Sequence, residues 1–415
     1  MSLVVQKYGG TSVGDAGKIK NVASRIAKRR AQGDDLVVVV SAMGKSTDQL
    51  ISLAREISEQ PAARELDVLL STGEIVSSTL MVMALHEMGV EAISLSGAQA
   101  GFRTDAVHGK ARILAIDPKR VHQELEQGRV VIVAGFQGIT EEMDITTLGR
   151  GGSDTTAVAM AAALEAKTCE IYTDVDGIYT TDPRVEPKAR KLDEISYEEM
   201  LELASVGAKI MHPRAVEVGA VYDIPILVAS SFKEVPGTLI HGGVGMEQFK
   251  KVRGIAQDLD VAKLTVRGVP DRPGIAASIF EPLAEAHLSV DTIVQNASAE
   301  QLTDLTFTVS RSDLPKSLPI VEGVAKEIGA GEVVADDRLG KVSIVGTGMQ
   351  SAPGYASRMF RALYDAGINI EMISTSEIRI TCIIHESRVE DAVRTLHQAF
   401  ELERAEPSEL SAAEE

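Results

Sequence analysis

The sequence predicts an α/β protein with α+β modules attached: a three-layer αβα sandwich around a mainly parallel sheet, then two βαββαβ units of ferredoxin-like form. Three observations carry that expectation. Over residues 1 to about 240, short apolar runs alternate with amphipathic stretches of helical period. At His241-Gly242-Gly243-Val244-Gly245 the pattern breaks into a glycine-rich linker. Beyond it, the chain repeats itself at a period of 80 residues.

The strand candidates of the first part are Leu3-Val4-Val5, Leu36-Val37-Val38-Val39-Val40, Val130-Val131-Ile132-Val133 and Glu170-Ile171-Tyr172. Ile19, Val22, Ala23, Ile26 and Ala27 fall at helical spacing between the first two. Unbroken apolar strands separated by helices belong to a parallel sheet covered on both faces. Ligands of such sheets bind beyond the carboxyl ends of the strands, so the loops there are where chemistry is expected. In the second part, Pro273-Gly274 matches Pro353-Gly354. Ala276, Phe280, Leu283, Ala286 and Ile293 match Ala356, Phe360, Leu363, Ala366 and Ile373 without a gap. Each copy reads as strand, Pro-Gly turn, helix and further strands and helix. The expected divisions are 1–245, 246–335, 336–405 and an acidic tail over 406–415.

Composition narrows the class. The 415 residues are 44% hydrophobic and 25% charged, as in globular chains. Against 42 Lys+Arg stand 60 Asp+Glu, a formal net charge of −18. That speaks against nucleic-acid binding and against docking on anionic membranes. Two cysteines, Cys169 and Cys382, are too few and too distant for a disulfide framework or a cysteine zinc site. No apolar run is expected to approach the ~18 residues of a membrane span, and the N-terminus lacks signal-peptide form. A cytoplasmic protein is the expectation.

Five motifs follow strand or helix boundaries. Lys7-Tyr8-Gly9-Gly10-Thr11-Ser12-Val13-Gly14 comes directly after the first strand. Its glycines let backbone N–H groups approach an anion, and Lys7 supplies a point charge for phosphate. Ser41-Ala42-Met43-Gly44-Lys45-Ser46-Thr47 ends like a Walker A loop, but Val39 stands where that loop needs glycine. What remains is a hydroxyl-rich loop suited to a γ-phosphate or a small polar substrate. Thr147-Leu148-Gly149-Arg150-Gly151-Gly152-Ser153-Asp154 precedes an alanine-rich helix, with Ser153 or Asp154 as the expected cap. Capping does not explain Arg150 among glycines, a pattern suited to a bidentate carboxylate clamp. Tyr172-Thr173-Asp174-Val175-Asp176-Gly177-Ile178-Tyr179-Thr180-Thr181-Asp182-Pro183-Arg184 fails the calcium-loop pattern. It reads either as a nucleotide-contacting loop or as a structural turn. Lys209-Ile210-Met211-His212-Pro213-Arg214 is weak alone, and a structural His212 is the simpler reading. Glu74, in Ser71-Thr72-Gly73-Glu74, reads as the opening acid of an apolar helix or as an anchor for a substrate ammonium.

Together these strings resemble the aspartate kinases of the amino-acid kinase family, and the repeat resembles their tandem ACT domains. The resemblance spans about residues 1–405. It implies transfer of the γ-phosphate of ATP, with Mg²⁺, to the side-chain carboxylate of L-aspartate. It places Lys7 and Lys209 on the transferring phosphates, with Asp154 orienting the lysines. Tyr8, Gly9, Gly10, Ser41 and Ser153 would line the phosphate path. Thr173, Asp174, Tyr179, Asp182 and Arg184 would frame the nucleotide. Aspartate would be held by Thr47, Glu74 on its ammonium, Arg150 on its α-carboxylate, and Gly151, Gly152 and Ser153. The resemblance further implies an effector, lysine and/or threonine, contacting Asp271, Ile275, Ala276, Gln295, Asn369, Ile370 and Ser376. It implies a homo-oligomer through the ACT domains, and a separately made regulatory subunit that Met246 could start. Competing readings are a kinase of the same fold acting on glutamate, acetylglutamate or carbamate, and a non-catalytic amino-acid sensor. Lys7, Arg150, Asp154 and Lys209 together speak against the sensor.

Overall fold

Unbroken Val, Ile and Leu runs build the centre of the first unit, as such runs do where a strand is buried on both faces. The computed structural model describes residues 2–208, 210–243, 252–296, 301–349 and 353–404. They form two compact units: 1–179 with 191–205 and 209–246, and 180–190 with 206–208 and 247–415.

In the first unit the elements run β1 (Leu3–Tyr8), α1 (Ala16–Ala31), β2 (Asp35–Val40), α2 (Ser46–Ile57), α3 (Ala63–Glu87), β3 (Ala92–Leu95), β4 (Phe102–Thr104) and β5 (Ile113–Ile116). There follow α4 (Lys119–Glu126), β6 (Val130–Ala134), β7 (Gln137–Ile139), β8 (Ile145–Thr147), α5 (Gly152–Ala163) and β9 (Thr168–Thr173). The unit ends with β10 (Glu194–Ser196), α6 (Tyr197–Ser205), α7 (Pro213–Tyr222), β11 (Ile226–Ser230) and β12 (Thr238–His241). The main sheet has the order β10-β12-β11-β9-β1-β2-β6-β3, and only the β11–β12 pair is antiparallel. Strand alternation sends Val4, Leu36, Val38, Val130 and Ile132 to the face covered by α1 and α3. Helix α5 packs on β1, β2 and β9. A smaller sheet, β5-β4-β7-β8, stands beside it.

Helix α3 corrects two expectations. It is long and apolar enough to cross a membrane by length and composition alone. Its buried Asp67 and Glu74, and its packing on α1, β3 and β6, make it a core helix of this unit. It begins at Ala63, so Glu74 lies mid-helix and not in a first turn.

The second unit contains β13 (Gly254–Pro270), α8 (Ile275–Glu285), β14 (Ile293–Gln295), β15 (Leu302–Val309), α9 (Leu314–Ile328), β16 (Val333–Val345), α10 (Tyr355–Asp365), β17 (Met372–Thr375), β18 (Arg379–His385) and α11 (Val389–Ala399). The repeat is visible in three dimensions: α8 and α10 start after Gly274 (φ +92°) and Gly354 (φ +104°), left-handed positions that suit glycine. All six strands make one sheet, β14-β15-β13-β16-β18-β17. The two copies interlock in it. Gly254–Asp258 at the start of β13 pairs with Lys341–Val345, and Val252 and Ile255 join the core of the second copy. The 180–190 segment also belongs here. Val185 lies in that core, and the buried Thr180 hydroxyl is 3.0 Å from Nε2 of His397.

Candidate active site

Strands β2, β1 and β9 are neighbours in the sheet, so the loops after them leave from one sheet end. Lys7, at the end of β1, places Nζ 2.6 Å from Oδ1 of Asp154, both side chains nearly buried. Asp154 does not cap α5. Gly151 does, with φ +66°, and this leaves the Asp154 carboxylate to the lysine. The Gly9 N–H donates to the Tyr172 carbonyl (3.2 Å). A Cβ on Gly10 would lie 2.8 Å from the Ala42 carbonyl oxygen, so the first two loops touch backbone to backbone. The Ser12 hydroxyl donates to Oγ of Ser231 (2.7 Å), whose own hydroxyl donates to the Thr173 carbonyl (3.0 Å). Ser231 follows β11, a loop that no sequence motif marks.

Beneath these loops a polar cluster braces β1 against β9. Buried Glu170 accepts from Nε2 of Gln6 (2.8 Å), the Tyr172 hydroxyl (3.0 Å) and Nη2 of Arg29 (3.3 Å). The rings of Tyr8 and Tyr172 stack with centroids 4.9 Å apart. Burial raises the Tyr8 phenol far above its ordinary pKa, so it stays neutral. The signal for this cluster was a polar residue at alternate strand positions, which a run of apolar residues conceals.

The other end of the site is built on α3. Glu74 is 3% exposed, and its Oε1 accepts the Ala42 N–H (3.1 Å). Its Oε2 has no hydrogen-bond partner among the described residues. Desolvation pushes the carboxyl up to about 7, although the Ala42 N–H favours the charged form. Two small residues let α3 come this close. A Cβ on Gly73 would lie 2.8 Å from the Ala42 methyl, and the Ser77 hydroxyl donates to the Ser41 carbonyl (2.8 Å). Thr47 lies in the first turn of α2, half-buried. Gly152 and Ser153 open α5, and Gly135 packs on Ser153 so tightly that a Cβ there would sit 2.9 Å away. Arg150 is exposed, with no hydrogen bond or ion pair among the described residues. Gly149 (φ +78°) and Gly151 flank it, and the His212 ring lies where a Gly151 side chain would go. Burial and the Arg214 charge lower the His212 pKa, which favours a neutral, packing ring.

The remaining expected residues are scattered. Thr173 ends β9 and the exposed Asp174 follows it, joined hydroxyl to carboxylate at 3.2 Å. Tyr179 bridges Lys191 at the border of the first unit. Asp182 and Arg184 lie in the segment that packs with the second unit, where Nη2 of Arg184 is 2.7 Å from Oδ2 of Asp182. Lys209 and Met246 fall outside the described residues. In the second unit, Asp271, Ala276, Gln295, Asn369 and Ser376 are exposed, Ile370 is half-buried and Ile275 is buried.

An ion pair facing two glycine loops, a carboxylate with one unpartnered oxygen and an unpaired arginine suit a small amino acid beside a polyphosphate. Known proteins agree. The amino acid kinase family model matches residues 2–230, and ACT domain models match 264–325 and 342–400. The aspartate kinase Ask_LysC of Stutzerimonas stutzeri is 55% identical over 97% of this chain and 98% of its own. The Pseudomonas aeruginosa aspartokinase is likewise 55% identical over the same shares. This chain belongs to the aspartate kinases of the amino-acid kinase family. As an aspartate kinase it is an ATP-dependent phosphotransferase acting on aspartate. Escherichia coli aspartokinase III, solved with aspartate and ADP, is similar in structure with a TM-score of 0.80 at 29% identity, covering 96% of this chain and 99% of that one. The same enzyme solved with lysine and aspartate gives 0.72 at 28% identity, over the same shares.

Proposed function

We propose that Glu74 and Arg150 hold the ammonium and α-carboxylate of L-aspartate while Lys7, oriented by Asp154, draws the γ-phosphate of ATP onto its side-chain carboxylate, giving 4-phospho-L-aspartate. The observation that carries this reading is the buried, half-satisfied Glu74. An unpartnered carboxylate oxygen in such a place calls for a cation, and the substrate ammonium is one. The nucleophile is ionised at pH 7, so no general base is required. The obstacle is repulsion between anions. Lys7, Lys209 and the glycine N–H groups lower it by position and charge. Mg²⁺ fits as a passenger of the nucleotide: no group of three His, Cys, Asp or Glu forms a cage among the described residues, and this ion prefers phosphate and water oxygens. When bound, it would neutralise phosphate charge. Thr173, Asp174, Tyr179, Asp182 and Arg184 are the nucleotide-facing set in this reading.

The enzyme would serve the route to lysine, threonine and methionine in the cytoplasm, with buried, unpaired Cys169 and Cys382 suited to a reducing compartment. Lysine, threonine or both would inhibit it through the ACT pair. Gln295 lies on β14 and Asn369 just precedes β17, and these strands are opposite edges of one sheet. One chain therefore does not gather the expected effector residues, which supports a homo-oligomer whose copies meet edge to edge. A separate regulatory subunit starting at Met246 belongs to the same reading. The test is coupled ADP release with aspartate, glutamate and acetylglutamate, each with and without lysine and threonine. Aspartate-dependent turnover that either amino acid suppresses is expected. Turnover on glutamate alone would overturn the substrate, and flat inhibitor curves would overturn the regulation.

A further inference from the structure

We propose that Asp67 is a positioning residue for aspartate binding, holding in place the stem from which Arg150 projects. The proposal rests on the assignment of Arg150 to the substrate α-carboxylate. Asp67 is a carboxylate only 1% exposed, on α3, in no motif and in no direct contact with the expected substrate residues. It is nevertheless fully used. Its two oxygens accept from the Gly109 N–H (3.0 and 3.1 Å), the Thr147 N–H (3.1 Å) and the Thr147 hydroxyl (2.6 Å), and Nδ1 of His108 lies 2.9 Å away. Burying an anion is costly unless donors surround it, so this one has a defined task.

That task is visible in what it joins. Thr147 ends β8, three residues before Arg150, and Gly109 belongs to the loop between β4 and β5. The Ala111 N–H donates to the Thr147 carbonyl (2.9 Å), and the Leu148 N–H to the Phe136 carbonyl (2.8 Å). From the far side, the Arg214 guanidinium donates to the Leu148 carbonyl (2.9 Å) and the Ala111 carbonyl (3.0 Å). Every backbone polar group of Thr147 and Leu148 is thereby tied. Gly149 then presses on the same loop, with a Cβ position 3.0 Å from the Gly109 carbonyl oxygen. Arg150 is thus an exposed tip on a fully hydrogen-bonded stem. Asp67 also precedes Glu74 by seven residues, two turns on the same face of α3, or about 10 Å along the axis. One helix therefore sets both anchors: Glu74 directly, and Arg150 through the stem that Asp67 pins.

Asp67→Asn keeps the size and replaces one acceptor oxygen with a donor facing two N–H groups. The expected result is an aspartate KM raised about tenfold or more, with the ATP KM and kcat within about threefold of wild type. A merely structural role would lower the amount of active enzyme, which reduces Vmax and leaves both KM values alone. An unchanged aspartate KM in folded Asp67→Asn would overturn the proposal. Should that variant not fold, His108→Ala, which removes a single contact, is expected to raise the aspartate KM about two- to fivefold, and no change there overturns it as well. Arg150→Lys separates the two claims. If it leaves the aspartate KM unchanged, the assignment of Arg150 has failed and the positioning proposal with it. If it raises KM, the double variant decides. Acting through Arg150, Asp67→Asn adds little in the Arg150→Lys background, whereas multiplying single effects would show independent action and overturn the proposal.

Discussion

The Lys7–Asp154 pair shows how a residue's chemistry and its stability cost are joined. Both groups are close to buried, so removing one leaves the other uncompensated. Lys7→Met is expected to lower kcat at least about a hundredfold and to cost about 3 kcal/mol of stability. Lys7→Met with Asp154→Asn should recover the stability and none of the turnover, read by denaturant melts and ADP release. Glu74 gives the opposite balance. Its carboxyl ordinarily titrates at 4.5 and is raised to about 7 in the folded protein. The folded state therefore favours the protonated form, so its destabilisation is absent below 4.5, grows from 4.5 to 7 and is complete above 7. At about 1.4 kcal/mol per pH unit this comes to about 3.5 kcal/mol. Glu74→Gln without substrate is expected to melt higher than wild type at pH 8 and equally near pH 4, while its aspartate KM rises sharply. Wild-type aspartate KM should itself rise as pH falls below about 7, since only the ionised carboxylate pairs with an ammonium.

At the scale of elements, α3 is the part the sequence describes least well. Its apolar stretch reads as a helix opening near Ser71, yet it starts eight residues earlier and carries Asp67 and Glu74 inward. A helix that is buried on much of its surface lacks the clean amphipathic period by which helices are read. Gly73 illustrates what that conceals. In an exposed helix, Gly→Ala gains about 1 kcal/mol. Here the new methyl would meet the Ala42 methyl at 2.8 Å, and overpacking costs about 1–3 kcal/mol. Gly73→Ala is therefore expected to lower the melting temperature and raise the aspartate KM, because the methyl pushes on the loop whose N–H holds Glu74. A higher melting temperature with unaltered KM would show that the loop yields freely. By contrast, the face of α1 was legible from its period: Ile19, Val22, Ala23 and Ile26 are buried, Ala27 is half-buried, and the Asp15 cap emerges only in the structure.

For the molecule as a whole, the 80-residue repeat marks two modules but not how they share strands. Because Val252 and Ile255 lie in the second core, the second copy is completed by residues from the start of the stretch expected to form the first. Ile255→Ala, at a site 3% exposed, is expected to cost about 2–5 kcal/mol. Hydrogen exchange should then rise in β18 and α11 more than in α8 and α9. Equal loosening of both copies would show that the six-stranded sheet opens as one. The net charge of −18 is likewise read locally: under the proposed assignment, Lys7, Arg150 and Lys209 would supply the cationic field that anionic substrates need at the glycine loops of an acidic protein.

The sequence alone determined the parallel core, the internal duplication and the family, since each is written as a local pattern: a period, a glycine beside a strand end, a motif. Only the tertiary structure decided that Asp154 pairs with Lys7 instead of capping a helix, that one oxygen of Glu74 is buried without a hydrogen-bond partner among the described residues, that Asp67 ties to Gly109 and Thr147 and Ser231 to Ser12, and that 180–190 and 252–258 pack with the second unit. Those features depend on groups far apart in the chain meeting in a buried place, where desolvation turns each unmet polar atom into a cost that some distant partner must offset.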